Sequence, residues 1–259
     1  MGRGSPIPPM LRRKIVEQYQ KGVSQRKIAK TLKLSSATVN ATVMEITTWK
    51  PLLSKKNIRD RLMFCRKYSE WTAEDWGKVI FSDEAPFRLF GASGKRLSCV
   101  MPTVKHPDTI HVWGCFSSKG VGSLTILPEN TAMNKEWYQN SLQQQFLPTI
   151  QQQFDEDFVF QHDLAPAHSA KTTGKWFTDH GITVLNWPAN SPDLNPIENL
   201  WDIVKRKLRD ARPNTLDELK AAIEASWASI TPQQCHRLIA SMPRRIEAVI
   251  SAKGFPTKY

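Results

Sequence analysis

Apolar residues near the start of the chain recur at helical spacing. Met10, Ile15, Val16 and Tyr19 follow Pro9 and stop at Gly22, which predicts a first helix. Ser24 can cap a second, over 25–32, with Ile28, Ala29 and Leu32 on one face. Ser35 and Ser36 can cap a third through Met44, with Ala37, Val39 and Val43 directed inward. Trp49-Lys50-Pro51 breaks the pattern, and 54–68 resumes it as a basic amphipathic helix carrying Ile58, Leu62, Met63 and Cys65. The texture then changes. Short β-branched and aromatic runs at 78–82, 87–90, 109–116 and 122–127 predict strands, the first ending at Asp83-Glu84, with a turn at 91–94. A long helix over 134–154, a strand over 158–161 delivering Asp163, a helix over 169–180, a strand over 183–185 and a helix over 196–209 come next. Helices over 215–227 and 232–250 close the pattern. Strands followed by alternating helices and strands imply an α/β sheet with helices on its faces, preceded by a small all-α domain. The expected divisions are 1–46, a basic linker and helix over 47–76, and 77–259.

Charge sharpens this division. The formal net charge is +12. Residues 1–70 hold 16 Lys/Arg against 4 Asp/Glu, whereas residues 71–259 hold 20 of each, so the whole excess lies in the first quarter. A basic module on a neutral body is the electrostatic footprint of nucleic-acid binding. Three short helices with a tight turn before the last form the helix-turn-helix plan, whose final helix enters the major groove. On that plan Ser36, Thr38 and Asn40 face base edges, while Arg26, Lys27 and Lys33 meet phosphates, joined by Arg12, Arg13 and Lys30. The plainer alternative is a helical packing module that is merely basic. No apolar run approaches the roughly 20 residues of a membrane span, and no apolar stretch follows Met-Gly-Arg-Gly-Ser-Pro as in a secretory signal. Cys65, Cys99, Cys115 and Cys235 show no C-x-x-C pair and read as reduced packing thiols of an intracellular protein.

Three acids carry the candidate chemistry. Asp83 and Asp163 each follow a short buried strand, and Glu198 opens a helix after Ser191-Pro-Asp-Leu-Asn-Pro196. Any one of them alone reads as a surface or capping acid. Together they make an all-oxygen ligand set suited to Mg²⁺ or Mn²⁺. Two such ions about 3.5–4 Å apart serve in-line phosphoryl displacement. His162 and His168 flank Asp163 without the i, i+4 logic of a helical zinc site, so His168 reads as lining the site. Lys205-Arg-Lys-Leu-Arg209 reads as a solvated helix face, a DNA contact or a nuclear-import patch.

The block Trp187-Pro-Ala-Asn-Ser-Pro-Asp-Leu-Asn-Pro-Ile-Glu-Asn-Leu-Trp201 closely resembles the third catalytic block of Tc/mariner superfamily transposases. Gln161-His-Asp-Leu-Ala-Pro-Ala-His168 resembles the second block and Ile80-Phe-Ser-Asp-Glu84 the first. Thirty-four residues separate Asp163 from Glu198, as in the Sleeping Beauty-like, fish Tc-type branch, which has two Asp and a terminal Glu. Thr103-Val-Lys-His106, Val112-Trp-Gly-Cys-Phe116, Met242-Pro-Arg-Arg245 and Lys253-Gly-Phe-Pro-Thr-Lys-Tyr259 are similar to the same branch. The resemblance implies a ribonuclease H-like catalytic domain with Asp83, Asp163 and Glu198 as catalytic and metal-ligating residues. It further implies a nuclear protein that binds terminal inverted repeats of double-stranded DNA and cuts and pastes into TA sites, as a homodimer or higher oligomer. The alternative is a catalytically inactive, transposase-derived DNA-binding protein. Relative to the family the chain looks shortened: one helix-turn-helix runs into Trp49-Lys50-Pro51-Leu52 where two modules are usual, and 91–101 is short where a long hairpin is usual. Leu164 replaces a usual Asn, which removes one expected hydrogen bond beside Asp163.

Overall fold

The structure, a computed structural model, describes residues 8–20, 23–47, 53–89, 109–129, 131–153 and 157–259. They fall into two compact units, 1–56 and 57–259. The first holds α1 (Pro9–Gln20), α2 (Gln25–Leu32) and α3 (Ser36–Thr47) around a small core of Ile15, Ile28, Ala29, Val39 and Val43. Ser24 caps α2 by accepting from the Lys27 N–H, and Lys33 ends it in the left-handed region at φ 52°. The Ser35 hydroxyl accepts from the Thr38 N–H at 2.9 Å and pairs with the Thr38 hydroxyl at 2.7 Å. That cap sets the phase of α3: Val39, Thr42 and Val43 are buried, Thr38 is half-buried, and Ala37 is exposed beside Ser36 and Asn40. The expected orientations of Ala37 and Thr38 are therefore exchanged.

The second unit is a mixed sheet between two helical layers. Its elements are α4 (Lys55–Lys67), α5 (Ala73–Gly77), β1 (Val79–Arg88), β2 (Thr109–Ser117), β3 (Gly120–Val121), β4 (Thr125–Ile126), α6 (Lys135–Ser141), α7 (Leu147–Gln153), β5 (Val159–Gln161), α8 (Lys171–Asp179), α9 (Ile197–Ala211), α10 (Leu216–Ala228), α11 (Pro232–Ile239) and α12 (Met242–Ser251). The strand order is β3-β2-β1-β5, with β4 also on β2; β1 runs antiparallel to β2 and parallel to β5. Alternation along β1 sorts its side chains. Val79, Phe81, Ala85 and Phe87 join a core with Phe64, Trp76, Trp187, Leu200, Trp201, Trp227 and Ile246. Ile80 faces the other layer, with Trp113, Tyr138, Phe146, Phe160 and Phe177.

Several expectations change. The runs at 78–82 and 87–90 are one continuous strand as far as Arg88, because the ladder to β2 passes straight through Asp83 and Glu84, opposite Gly114 and Trp113. Asp83 is therefore a mid-strand residue. The run at 122–127 resolves into β3 and β4, and the strand at 183–185 into a single bridge between Phe160 and Val184. The long helix at 134–154 contains a π-helical segment, Leu142–Phe146. Pro148 lacks an N–H and its ring opposes the carbonyl four residues back, so the ladder widens just before it. The helix at 232–250 divides at Ala240-Ser241, with Pro243 in the first turn of α12, where a missing N–H costs little. Most of the expected linker helix, α4, belongs to the second unit, where Phe64 and Cys65 enter the core. The 49–51 break, Phe90, the 91–101 segment, Cys99 and the 103–106 motif lie outside the described residues.

Candidate active site

The three acids come from three places in the second unit: β1, the loop after β5 and the first turn of α9. Asp83 sits mid-β1 on the face that α9 covers, and Glu198 lies in the first turn of α9. Both are half-buried. Each carboxyl shifts the other's titration. Burial first, then the nearby negative charges of Glu198 and Asp163, hold the Asp83 carboxyl well above the usual carboxylate range. Burial also raises Glu198, while the Lys205 ammonium, two turns along α9, opposes the rise. Asp163, two residues past the end of β5, is exposed.

His168 organises the other side of the site. Its Nδ1 meets Asp163 Oδ1 at 2.5 Å and its Nε2 meets Glu84 Oε1 at 2.9 Å, with Tyr138 packed on the ring at 3.9 Å between centroids. Glu84 reaches it because residue 84 points to the opposite face of β1 from Asp83. Burial opposes a charge on His168, but the two carboxylates outweigh it and raise its pKa to about 9. The same contacts, with the Ala165 N–H at 2.9 Å, hold Asp163 below its usual value against the effect of burial. Both hydrogen bonds to Asp163 fall on Oδ1. These contacts fix Asp163 with Leu164 exposed and uninvolved. His162, buried among Phe160 and Phe177, is lowered to about 4 by burial and by the charge on His168, so it stays neutral.

The donor set is three carboxylates, the chemistry a hard divalent cation selects. Among the described residues no group of three or more His, Cys, Asp or Glu side chains is placed to hold a metal ion. Asp163 is engaged with His168, and Asp83 with Glu198. The sequence singled out His168 but not its partner Glu84. The one available signal was the adjacent acid pair Asp83-Glu84 inside a strand, whose two members must face opposite ways.

Other predicted residues lie in the first unit. Arg26, Lys27, Lys33, Ser36 and Asn40 are exposed, and Thr38 is committed to the Ser35 cap. Cys65, Cys115 and Cys235 are buried free thiols, raised by burial to about 12, 12 and 11.

A family described as DDE superfamily endonuclease matches residues 78–220, which span β1, β5 and the start of α9 and so include all three acids. The transposable element Tc1 transposase of Caenorhabditis elegans is 37% identical over 224 residues, covering 81% of each chain. The chain belongs to the Tc1-like transposases of the DDE superfamily. The Tc3 transposase of the same organism is 34% identical over 259 residues, covering 95% of this chain and 76% of that one. Among solved structures, the Mos1 mariner paired end complex with Mn aligns over 100% of this chain and 83% of that chain, with a TM-score of 0.70 at 17% identity. The Mos1 transposase catalytic domain with Raltegravir and Mg aligns over 80% of this chain and 99% of that one, with a TM-score of 0.67 at 19% identity. At these identities the Mos1 likeness speaks to fold, and it agrees with the ribonuclease H-like α/β domain expected for the second unit. Among the described residues no helix is long and apolar enough to cross a membrane.

Proposed function

We propose that this Tc1-like transposase cuts DNA at the ends of a transposable element and joins the freed ends to target DNA, with Asp83, Asp163 and Glu198 as catalytic metal ligands. The observation that carries the reading is that the charges of Glu198 and Asp163 both raise Asp83, so each of them lies within electrostatic reach of that carboxyl. Groups that repel in this way are stabilised by a shared cation, and oxygen ligands select Mg²⁺ or Mn²⁺. When bound, two such ions supply the charge that stabilises the attacking and departing oxygens of an in-line displacement at phosphorus. The chain's own residues do the rest. Asp83, Asp163 and Glu198 would hold the ions, His168 and the Ala165 N–H fix Asp163 through its Oδ1, and Lys205 offers a cation on the helix that carries Glu198. Glu84, held by His168, stays behind the sheet as an orienting group.

In this reading the first unit binds terminal inverted repeats. Its exposed Ser36, Ala37 and Asn40 share one face of α3 for base contact, and Arg26, Lys27 and Lys33 meet phosphates. TA dinucleotides as target, a homodimer or higher oligomer, and a nuclear location complete the proposal. The paired-end and strand-transfer complexes among the Mos1 matches support the assembly.

The test is Mg²⁺- or Mn²⁺-dependent nicking of an inverted-repeat duplex by the full chain and by Asp163→Ala. Activity is expected to fall to background in the variant. Equal activity in both proteins would remove the acids from the chemistry, and inactivity in both with DNA binding intact would leave a DNA-binding relative of the enzyme.

A further inference from the structure

Arg61 reads in the sequence as one more basic residue of a basic helix. In the structure it is fully buried. Its guanidinium donates to both oxygens of Asp193 at 2.7 Å, and its Nε donates to the Gly254 carbonyl at 2.9 Å. Longer bonds of 3.4 Å reach the carbonyls of Asn190 and Phe255. All five donors of the side chain are thus used. Asp193 Oδ2 also accepts from the Thr257 N–H at 2.8 Å and its hydroxyl at 3.0 Å. Gly254 has φ +82°, and a Cβ there would lie 2.4 Å from the Ile58 carbonyl oxygen, so only glycine lets the tail approach α4 this closely.

The network continues to the chain neighbours of Glu198 and Asp83. Arg245 donates to the Asp193 carbonyl at 2.9 Å and to the Asn199 side-chain oxygen, next to Glu198. Asn195 donates to the Ser82 carbonyl at 3.2 Å, next to Asp83, and accepts from the Ile197 N–H at 3.4 Å. A buried ion pair adds little net stability over apolar packing, because desolvation cancels most of the attraction. Its distinctive effect is a single permitted geometry. We infer that the C-terminal segment Gly254–Thr257, clasped by Arg61 and Asp193, is a positioning element of the active site that sets Glu198 against Asp83. The inference rests on the proposal that these acids hold metal.

The experiment measures Mn²⁺ binding to the full chain by electron paramagnetic resonance of the free ion, alongside thermal unfolding without metal. Deleting Phe255–Tyr259 is expected to weaken Mn²⁺ binding by about tenfold, as loss of a supporting shell does. Thr257→Val, which keeps the backbone bond, is expected to weaken it by about threefold, in line with one net hydrogen bond. Thr257→Ser is expected to restore the unaltered affinity. Should the deletion fail to fold, the Thr257 pair decides. Unchanged Mn²⁺ affinity in Thr257→Val, whether or not its unfolding midpoint falls, overturns the inference and leaves the clasp a purely structural tie. An unaltered chain that takes up no Mn²⁺ overturns the metal-ligand reading itself, which separates that failure from this one.

Discussion

At His168 two carboxylates engage one imidazole, and the ring responds by holding its proton to about pH 9 instead of 6.5. A group whose folded pKa is raised contributes stability that is complete below its unfolded value and disappears as pH rises through its folded value. The metal-free protein is therefore expected to lose on the order of 3 kcal/mol between pH about 6.5 and about 9 through this one residue. His168→Gln is expected to flatten that part of the profile, measured as the difference in urea midpoint between the two proteins across the range. A parallel profile in the variant would mean the charge is not held there. The motif around Asp163 made His168 visible as a lining residue. Its role as a bridge was not visible, because Glu84 lies 84 positions away and reaches it only through the pleat of β1.

Elements impose a second set of constraints, best seen where β2 crosses beneath α9 and α10. Gly114 pairs with Asp83, and a Cβ added there would fall 2.9 Å from both Leu124 and Trp201 and 3.2 Å from Trp227. The absent side chain lets the stacked pair Trp201 and Trp227 lie on the sheet beside the acid, with Trp227 Nε1 donating to the Gly122 carbonyl at 2.8 Å. Gly114→Ala is expected to cost about 1–3 kcal/mol by overpacking and to lower nicking by displacing α9 and Glu198, checked by thermal unfolding and turnover on the same preparation. Helix positions were legible from the apolar spacing and the α2 cap from Ser24, since these depend on neighbours in the chain. Strand ends were not. Asp83-Glu84 looked like a terminus because charge rarely continues a buried strand, yet the ladder to β2 supplied partners that carried it to Arg88. The phase of α3 likewise turned on whether Ser35 or Ser36 caps it, a choice that exchanges Ala37 with Thr38.

For the whole molecule the organising quantity is charge. The first 56 residues hold 12 Lys/Arg against 2 Asp/Glu, and the acids of the active site lie in the other unit. If Arg26, Lys27 and Lys33 each neutralise one phosphate, changing all three to Ala is expected to make the slope of log affinity against log salt shallower by about 2.7. Filter binding of an inverted-repeat duplex across a salt series reads this directly; an unchanged slope would move the DNA contact to other residues. The sequence by itself determined this segregation and the spacing of the three N-terminal helices, and it singled out Asp83, Asp163 and Glu198 as candidates. Each is a property of local order or composition, readable without knowing what lies across the fold. Only the tertiary structure decided what surrounds those acids: Glu84 behind the sheet, Gly114 under two tryptophans, and Arg61 joined to Asp193, which also holds Thr257. These partners are separated by 64 to more than 130 positions, and their pairing depends on desolvation and on hydrogen bonds that exist only once the chain has closed around them.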